Sequence, residues 1–202
     1  MSRLRVPPGR AGRQWLRRRL GIAEHGAEVL DRKLRVLGAE RTRLAALAAE
    51  TERTWAARTV QAREWLQREE LCGGQRELRR AEPAAAAEVE FGWATIMGIR
   101  CPTEATTLAP PMSDSGRVFG SAAAVHTAEA FAEALEAAAR HAAASTALRL
   151  VEEEAAVTRN RIRALRRHWI PRLRSELSRI ELELEEREQA DAIWHRRAAS
   201  AE

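Results

Sequence analysis

The chain has 202 residues, a formal net charge of +5, 31% charged residues, 4% aromatic residues and no Tyr. Ala, Arg, Glu and Leu dominate, the mix of long helices and coiled coils rather than of an ordinary globule, and the regular apolar spacing argues against a disordered chain. No stretch approaches the roughly 20 apolar residues that cross a bilayer, and the basic N-terminus lacks the apolar core of a signal peptide, so a cytoplasmic product is expected.

The N-terminal part, residues 1–82, opens with Arg3, Arg5, Arg10, Arg13, Arg17, Arg18 and Arg19 before any acidic residue. Such a segment seeks an anionic partner. Pro7 and Pro8 set an extended lead-in and place a proline near the first helical turn. Leu16, Leu20, Ala23, Ala27, Leu30, Leu34, Leu37, Arg41, Leu44, Ala48, Thr51 and Trp55 then recur at heptad a and d spacing, with Arg41 as a charged interruption. No proline follows until Pro83. A continuous helix of about 100 Å is therefore expected.

The middle part, residues 83–126, differs in kind. After an Ala run, Ala84 to Ala87, the odd positions of Val89-Glu90-Phe91-Gly92-Trp93-Ala94-Thr95-Ile96-Met97-Gly98-Ile99 are mostly apolar. That alternation predicts a strand or short hairpin. Pro102, Pro110-Pro111, Ser113, Asp114, Ser115 and Gly116 predict a turn-rich tip. Trp93 is expected to pack this insert against the helices.

The C-terminal part, residues 127–202, carries a second stripe: Phe131, Leu135, Ala138, Ala142, Ser145, Leu148, Val151, Ala155, Thr158, Ile162, Leu165 and Trp169, then Leu173, Leu177, Ile180 and Leu184. The four-four-three spacing from Trp169 to Ile180 is a stutter, which locally unwinds a left-handed supercoil. Pro171 removes a helix hydrogen bond and crowds the carbonyl of Arg167, so a bend is expected there.

Two such stripes cover each other most economically if the chain goes out along one helix and returns along the other. The expected fold is all-α: a long antiparallel two-helix coiled coil with a small irregular or β-hairpin insert between the helices. Homodimers of each helix would hide the stripes as well. In the antiparallel register Arg41 and Pro171 are expected near one level.

The residues do not assemble a catalytic constellation. Gly73-Gly74 is not followed by a phosphate-loop lysine, and no G-x-G-x-x-G is present. His25, His126, His141, His168 and His195 lie far apart. Cys72 and Cys101 have no C-x-x-C or zinc spacing and are expected to be inert thiols. The chain is thus expected to be no enzyme, with no cofactor or metal. The acidic runs Glu152-Glu153-Glu154 and Glu185-Glu186 read as solvated helix faces. Trp15, Trp55, Trp65, Trp169 and Trp194 are expected in the coiled-coil core or rim. Arg159, Arg161, Arg163, Arg166 and Arg167 form a row before Pro171 that would make a positive collar.

Both ends resemble a known family. Val6-Pro7-Pro8-Gly9-Arg10-Ala11-Gly12-Arg13, Trp15-Leu16-Arg17-Arg18-Arg19-Leu20 and Gly26-Ala27-Glu28-Val29-Leu30-Asp31-Arg32-Lys33-Leu34-Arg35 are similar to the start of the D subunits of V/A-type rotary ATPases. Arg159-Asn160-Arg161-Ile162-Arg163-Ala164-Leu165, Trp169-Ile170-Pro171-Arg172-Leu173 and Leu184-Glu185-Glu186-Arg187-Glu188-Gln189-Ala190-Asp191 resemble the ending of that family. Arg163 stands where the family has Asn, and Ala190 where a charged residue is common.

The resemblance implies a central-stalk axle that couples ATP hydrolysis or synthesis to proton or sodium translocation. Its implied partners are the ring of catalytic A and B subunits, the F subunit of the central stalk and the C (d-type) socket subunit, with the membrane met only through the complex. Arg10, Arg13, Arg159, Arg161, Arg163, Arg166 and Arg167 are the expected partner-contact residues. A basic coiled-coil nucleic-acid binder and a plain scaffold are the alternatives. Gly9 and Gly12 weaken a recognition helix, and the second stripe already supplies a partner for the first.

Overall fold

In the computed structural model, residues 5–74, 76, 79, 86–108 and 119–199 are described, the side chains of 198 and 199 excepted. Ala84, Ala85, the Pro110-Pro111 turn and the Ser113-to-Gly116 tip lie outside the described residues. The elements are helix α1 (Gly9–Cys72), strands β1 (Glu88–Ile96) and β2 (Ile99–Leu108), helix α2 (Ala122–Ala164), a π-helical turn (Leu165–Trp169) and helix α3 (Ile170–Ala199). The fold is the expected all-helical antiparallel pair with a two-stranded insert. Helix α2 starts inside the stretch read as insert, because Ser121 caps it by accepting from the Ala124 N–H at 3.1 Å. The chain forms two compact units, Met1–Arg35 with Ala156–Glu202, and Val36–Ala155.

In the first unit, Leu16, Ala23 and Ala27 of α1 meet Ile170, Leu173, Ile180 and Leu184 of α3. Leu16 and Leu173 have no exposed surface. Burying each such Leu contributes about 1.5–3 kcal/mol. Val6, Trp15, Leu20, Leu165, Trp169 and Leu177 flank this seam. Gly12 lets the lead-in fold back: a Cβ there would stand 2.0 Å from the Pro7 carbonyl oxygen. Trp194 is 74% exposed, so it fills neither core nor rim, and Ile193 beside it is also exposed.

The expected irregularity at Pro171 takes the form of the π-turn. The Ile170 N–H bonds the Leu165 carbonyl, five residues back. A ring at position 171 cannot donate to the ladder and would clash with the carbonyl four residues earlier in an α-helix. Widening the preceding turn moves that carbonyl aside.

In the second unit, Leu37, Leu44, Ala48 and Ala62 of α1 are buried, as the stripe predicted for the first three. Thr51 is half-buried and Trp55 lies on the rim. The α2 side differs from expectation. Ala130, Ala134, Ala137, Ala144 and Ala147 are buried, whereas Phe131 and Ala142 are exposed. The stripes rejoin at Val151 and Ala155. An Ala on every side leaves no apolar period to read, and a small Ala at the seam allows close helix approach, so Phe131 is the residue turned out.

Arg41 also departs from the stripe: it is exposed and bonds Glu152 Oε1 at 3.0 Å, outside the seam. A long guanidinium can leave an a or d position for water and a carboxylate. Its rung partner within the second unit is therefore Glu152.

The hairpin turns through Met97 and Gly98, both with positive φ (49° and 86°), the signature of a type I′ turn. A β-bulge places Thr103-Glu104 of β2 opposite Gly92, where a Cβ would meet Thr103 Oγ1 at 3.3 Å. Strand β2 is the inner strand, with Cys101 and Pro102 buried. Trp93 does not pack onto the helices as expected. It is 51% exposed, and the Arg100 guanidinium lies 4.8 Å from its ring centre. Cys101 is buried, whereas Cys72 is exposed.

Candidate partner interface

The candidate surface is built on the first unit's helix pair. Ion pairs between described residues cross its seam, among them Arg10–Glu188 at 3.0 Å, Arg17–Glu181 at 2.7 Å, Glu24–Arg174 at 2.6 Å and Asp31–Arg166. On α1 these residues are seven apart, a full heptad each time, and their signs run plus, plus, minus, minus. The partners, taken from Arg166 toward Glu188, run in the same order of sign. A parallel pairing would therefore set like against like, and only the antiparallel one neutralises the whole ladder. Exposed pairs of this kind contribute about 0.2–1 kcal/mol each. The seam thus supplies the stability and the ladder selects direction and register.

The ladder engages two of the expected contact residues, both of which stay exposed. Arg10 is tied to Glu188, and Arg166 to Asp31. Arg13 is half-buried. Arg163 donates to Asn160 Oδ1 at 3.2 Å. Arg159, Arg161 and Arg167 are exposed and carry no hydrogen bond or ion pair among the described residues. The structure does not gather the row onto one face. At about 100° per residue, Arg159 and Arg163 lie ~40° apart, and Arg161 falls on the opposite flank of the seam residues Thr158 and Ile162. Arg167 borders an open groove with Leu165, His168, Trp169 and Arg172 at the π-turn.

The arginines stand out in the sequence, whereas the ladder emerges only with the pairing register. The signal was present in the heptad-spaced Arg10, Arg17, Glu24 and Asp31. Arg10 and Arg17 of the basic lead-in are answered within the chain by these pairs, which weakens the case for a nucleic-acid arm. Among the described residues no group of three or more His, Cys, Asp or Glu could hold a metal ion, and no helix is long and apolar enough to cross a membrane.

Fold and surface together define an antiparallel helix-pair protein with charged side chains along its outer faces. The profile of the ATP synthase D-subunit family matches residues 13–198. The D subunit of the A-type ATP synthase of Pyrococcus abyssi (strain GE5 / Orsay) is 30% identical over 190 residues, covering 92% of this chain and 89% of the relative. The chain belongs to the ATP synthase D-subunit family, and is thus a V/A-type ATPase subunit that assembles with other subunits of that complex.

Proposed function

We propose that the chain is the central rotor shaft of a V/A-type ATPase, a non-catalytic subunit on the cytoplasmic side, peripheral to the membrane. In this reading it transmits torque between ATP hydrolysis or synthesis in the ring of A and B subunits and proton or sodium translocation by the membrane rotor. The F subunit and the C (d-type) socket join it to that rotor. The observation that carries the reading is the charge ladder over the Leu16–Leu184 seam. A torque-bearing pair must resist sliding, and a register locked by these oppositely charged rungs does so without a broad apolar surface that would hold one ring position. Arg159, Arg161 and Arg167, with Arg163 beside them, then meet acidic loops of the ring.

The test is a reconstituted complex carrying Arg159→Glu, Arg161→Glu and Arg163→Glu. Coupled ATPase activity should fall while the complex still assembles. Unchanged coupled turnover would sink the collar. Absence of any ATPase subunit after affinity purification from the native host would sink the shaft itself.

A further inference from the structure

Among the described residues, the hairpin of the second unit leaves one strand uncovered. Strand β2 is the inner one: its residues Thr103 to Thr106 share a cleft with Leu47, Thr51, Arg140 and Ala144. Among the described residues β1 pairs with β2 alone, and Glu88 and every residue from Glu90 to Thr95 are exposed. The type I′ turn makes Ile96 and Ile99 a hydrogen-bonded pair. Alternation then puts Ala94 and Cys101 in such a pair, and leaves Thr95–Arg100 and Trp93–Pro102 as non-hydrogen-bonded pairs. Pro102 has no N–H to give, which fits its place. The bulge lies on β2, so β1 keeps its alternation through Gly92. Phe91, Trp93 and Thr95 therefore aim their backbone N–H and C=O groups at the open edge.

Several of the usual protections of an edge are missing. Strand β1 holds no proline and no lysine, and the bulge is on its neighbour. Phe91 and Trp93 share one face and are 39% and 51% exposed. Glu88 and Glu90 lie on the other face, exposed and without an ion pair among the described residues. An unpaired row of peptide groups calls for another extended backbone, and the side chains say which kind.

We propose that the open edge of β1 docks an extended segment of a neighbouring protein in the chain's assembly. That segment adds a third strand. It carries apolar residues over Phe91 and Trp93, and basic residues over Glu88 and Glu90. The proposal stands apart from the rotor reading.

Amide hydrogen exchange tests it on the full chain alone and on the whole assembly recovered with it from the native host. The Phe91, Trp93 and Thr95 amides should exchange fast in the free chain and slow by tenfold or more in the assembly. Ala94 and Ile96, whose amides face β2, serve as protected internal controls in both. Thr95→Pro removes an outward N–H that no ladder bond uses and should weaken retention of the assembly about fivefold, the loss of one main-chain bond. Thr95→Val, which keeps the N–H, should leave it unchanged.

Equal exchange in the two samples overturns the proposal, as does purification with no partner at all. Protection that rises with the concentration of the free chain overturns it too, in favour of a second copy at the edge. Identifying the recovered proteins by mass spectrometry separates the two readings. An assembly without ATPase subunits but with a protected edge refutes the rotor and keeps the docking strand.

Discussion

Arg166 pairs with Asp31, although the seven-residue step that relates Glu181 to Arg174 would put that partner at Arg167. The rung arrives one residue early because the π-turn, Leu165–Trp169, takes up one extra residue on the way to Arg174. The turn therefore reconciles two demands: a heptad ladder on α1, and a proline in the returning helix that an α-turn would not accept.

Deleting His168 should convert the π-turn to α-helix and bring Pro171 against the carbonyl four residues before it. The deletion alone is expected to destabilise the fold by about 3 kcal/mol, the cost of an interior helix proline. Adding Pro171→Ala should recover most of it, because the ladder then runs at an unbroken heptad. Thermal unfolding of both variants checks this; a deletion that costs the same with and without the proline would separate the π-turn from Pro171.

The ladder makes a charge-exchange prediction. Arg17→Glu faces Glu181 with a like charge and should cost about 0.5–1 kcal/mol at low salt. Glu181→Arg should cost a similar amount against Arg17. The double exchange should return to within a few tenths of the parent. Urea titrations at low and high ionic strength read both the loss and its screening. If the two single losses simply add in the double variant, the rung is not a pair.

Much of this architecture was legible because α1 writes its seam in Leu. Leu16, Leu37 and Leu44 stand out against charged neighbours, and the structure buries each of them. Helix α2 offers no such contrast before Val151. With Ala on nearly every side, only the large residues stand out, and Phe131 points to the wrong face, away from Ala130 and Ala134. The hairpin was readable from its alternation, but Trp93 was not, since its size suggested burial and it is instead exposed beside Arg100. At the candidate interface the arginines were visible in the sequence. Which of them Asp31 and Glu188 had already claimed depended on the pairing register.

Cys101 gives the fold an alkaline limit. Burial first, and then the charge of Glu40, raise its thiol above the ordinary value of 9.0. The neutral form is thus favoured by the folded chain. Its contribution is intact below about 9, the unfolded value, and is lost as pH rises toward the folded one. Parent stability should fall over that range, and Cys101→Ala should remove this part of the slope. Thiol labelling at neutral pH should modify exposed Cys72 rapidly and Cys101 only when the hairpin opens. Equal labelling rates would place Cys101 at the surface.

Met97 holds φ at 49°, in the left-handed region where a residue with a Cβ pays a steric cost of about 1–2 kcal/mol. The first central position of a type I′ turn favours Asn, whose short side chain tolerates that conformation. Met97 is 43% exposed, so its side chain gives up little burial on replacement. Met97→Asn should stabilise the hairpin by about 1 kcal/mol. Met97→Val should weaken it, because branching at Cβ worsens the same clash. The measurement is exchange protection at the Ala94 and Ile96 amides, which report opening of the β1–β2 ladder. If Asn and Val shift protection in the same direction, the turn geometry assigned to Met97 and Gly98 is wrong.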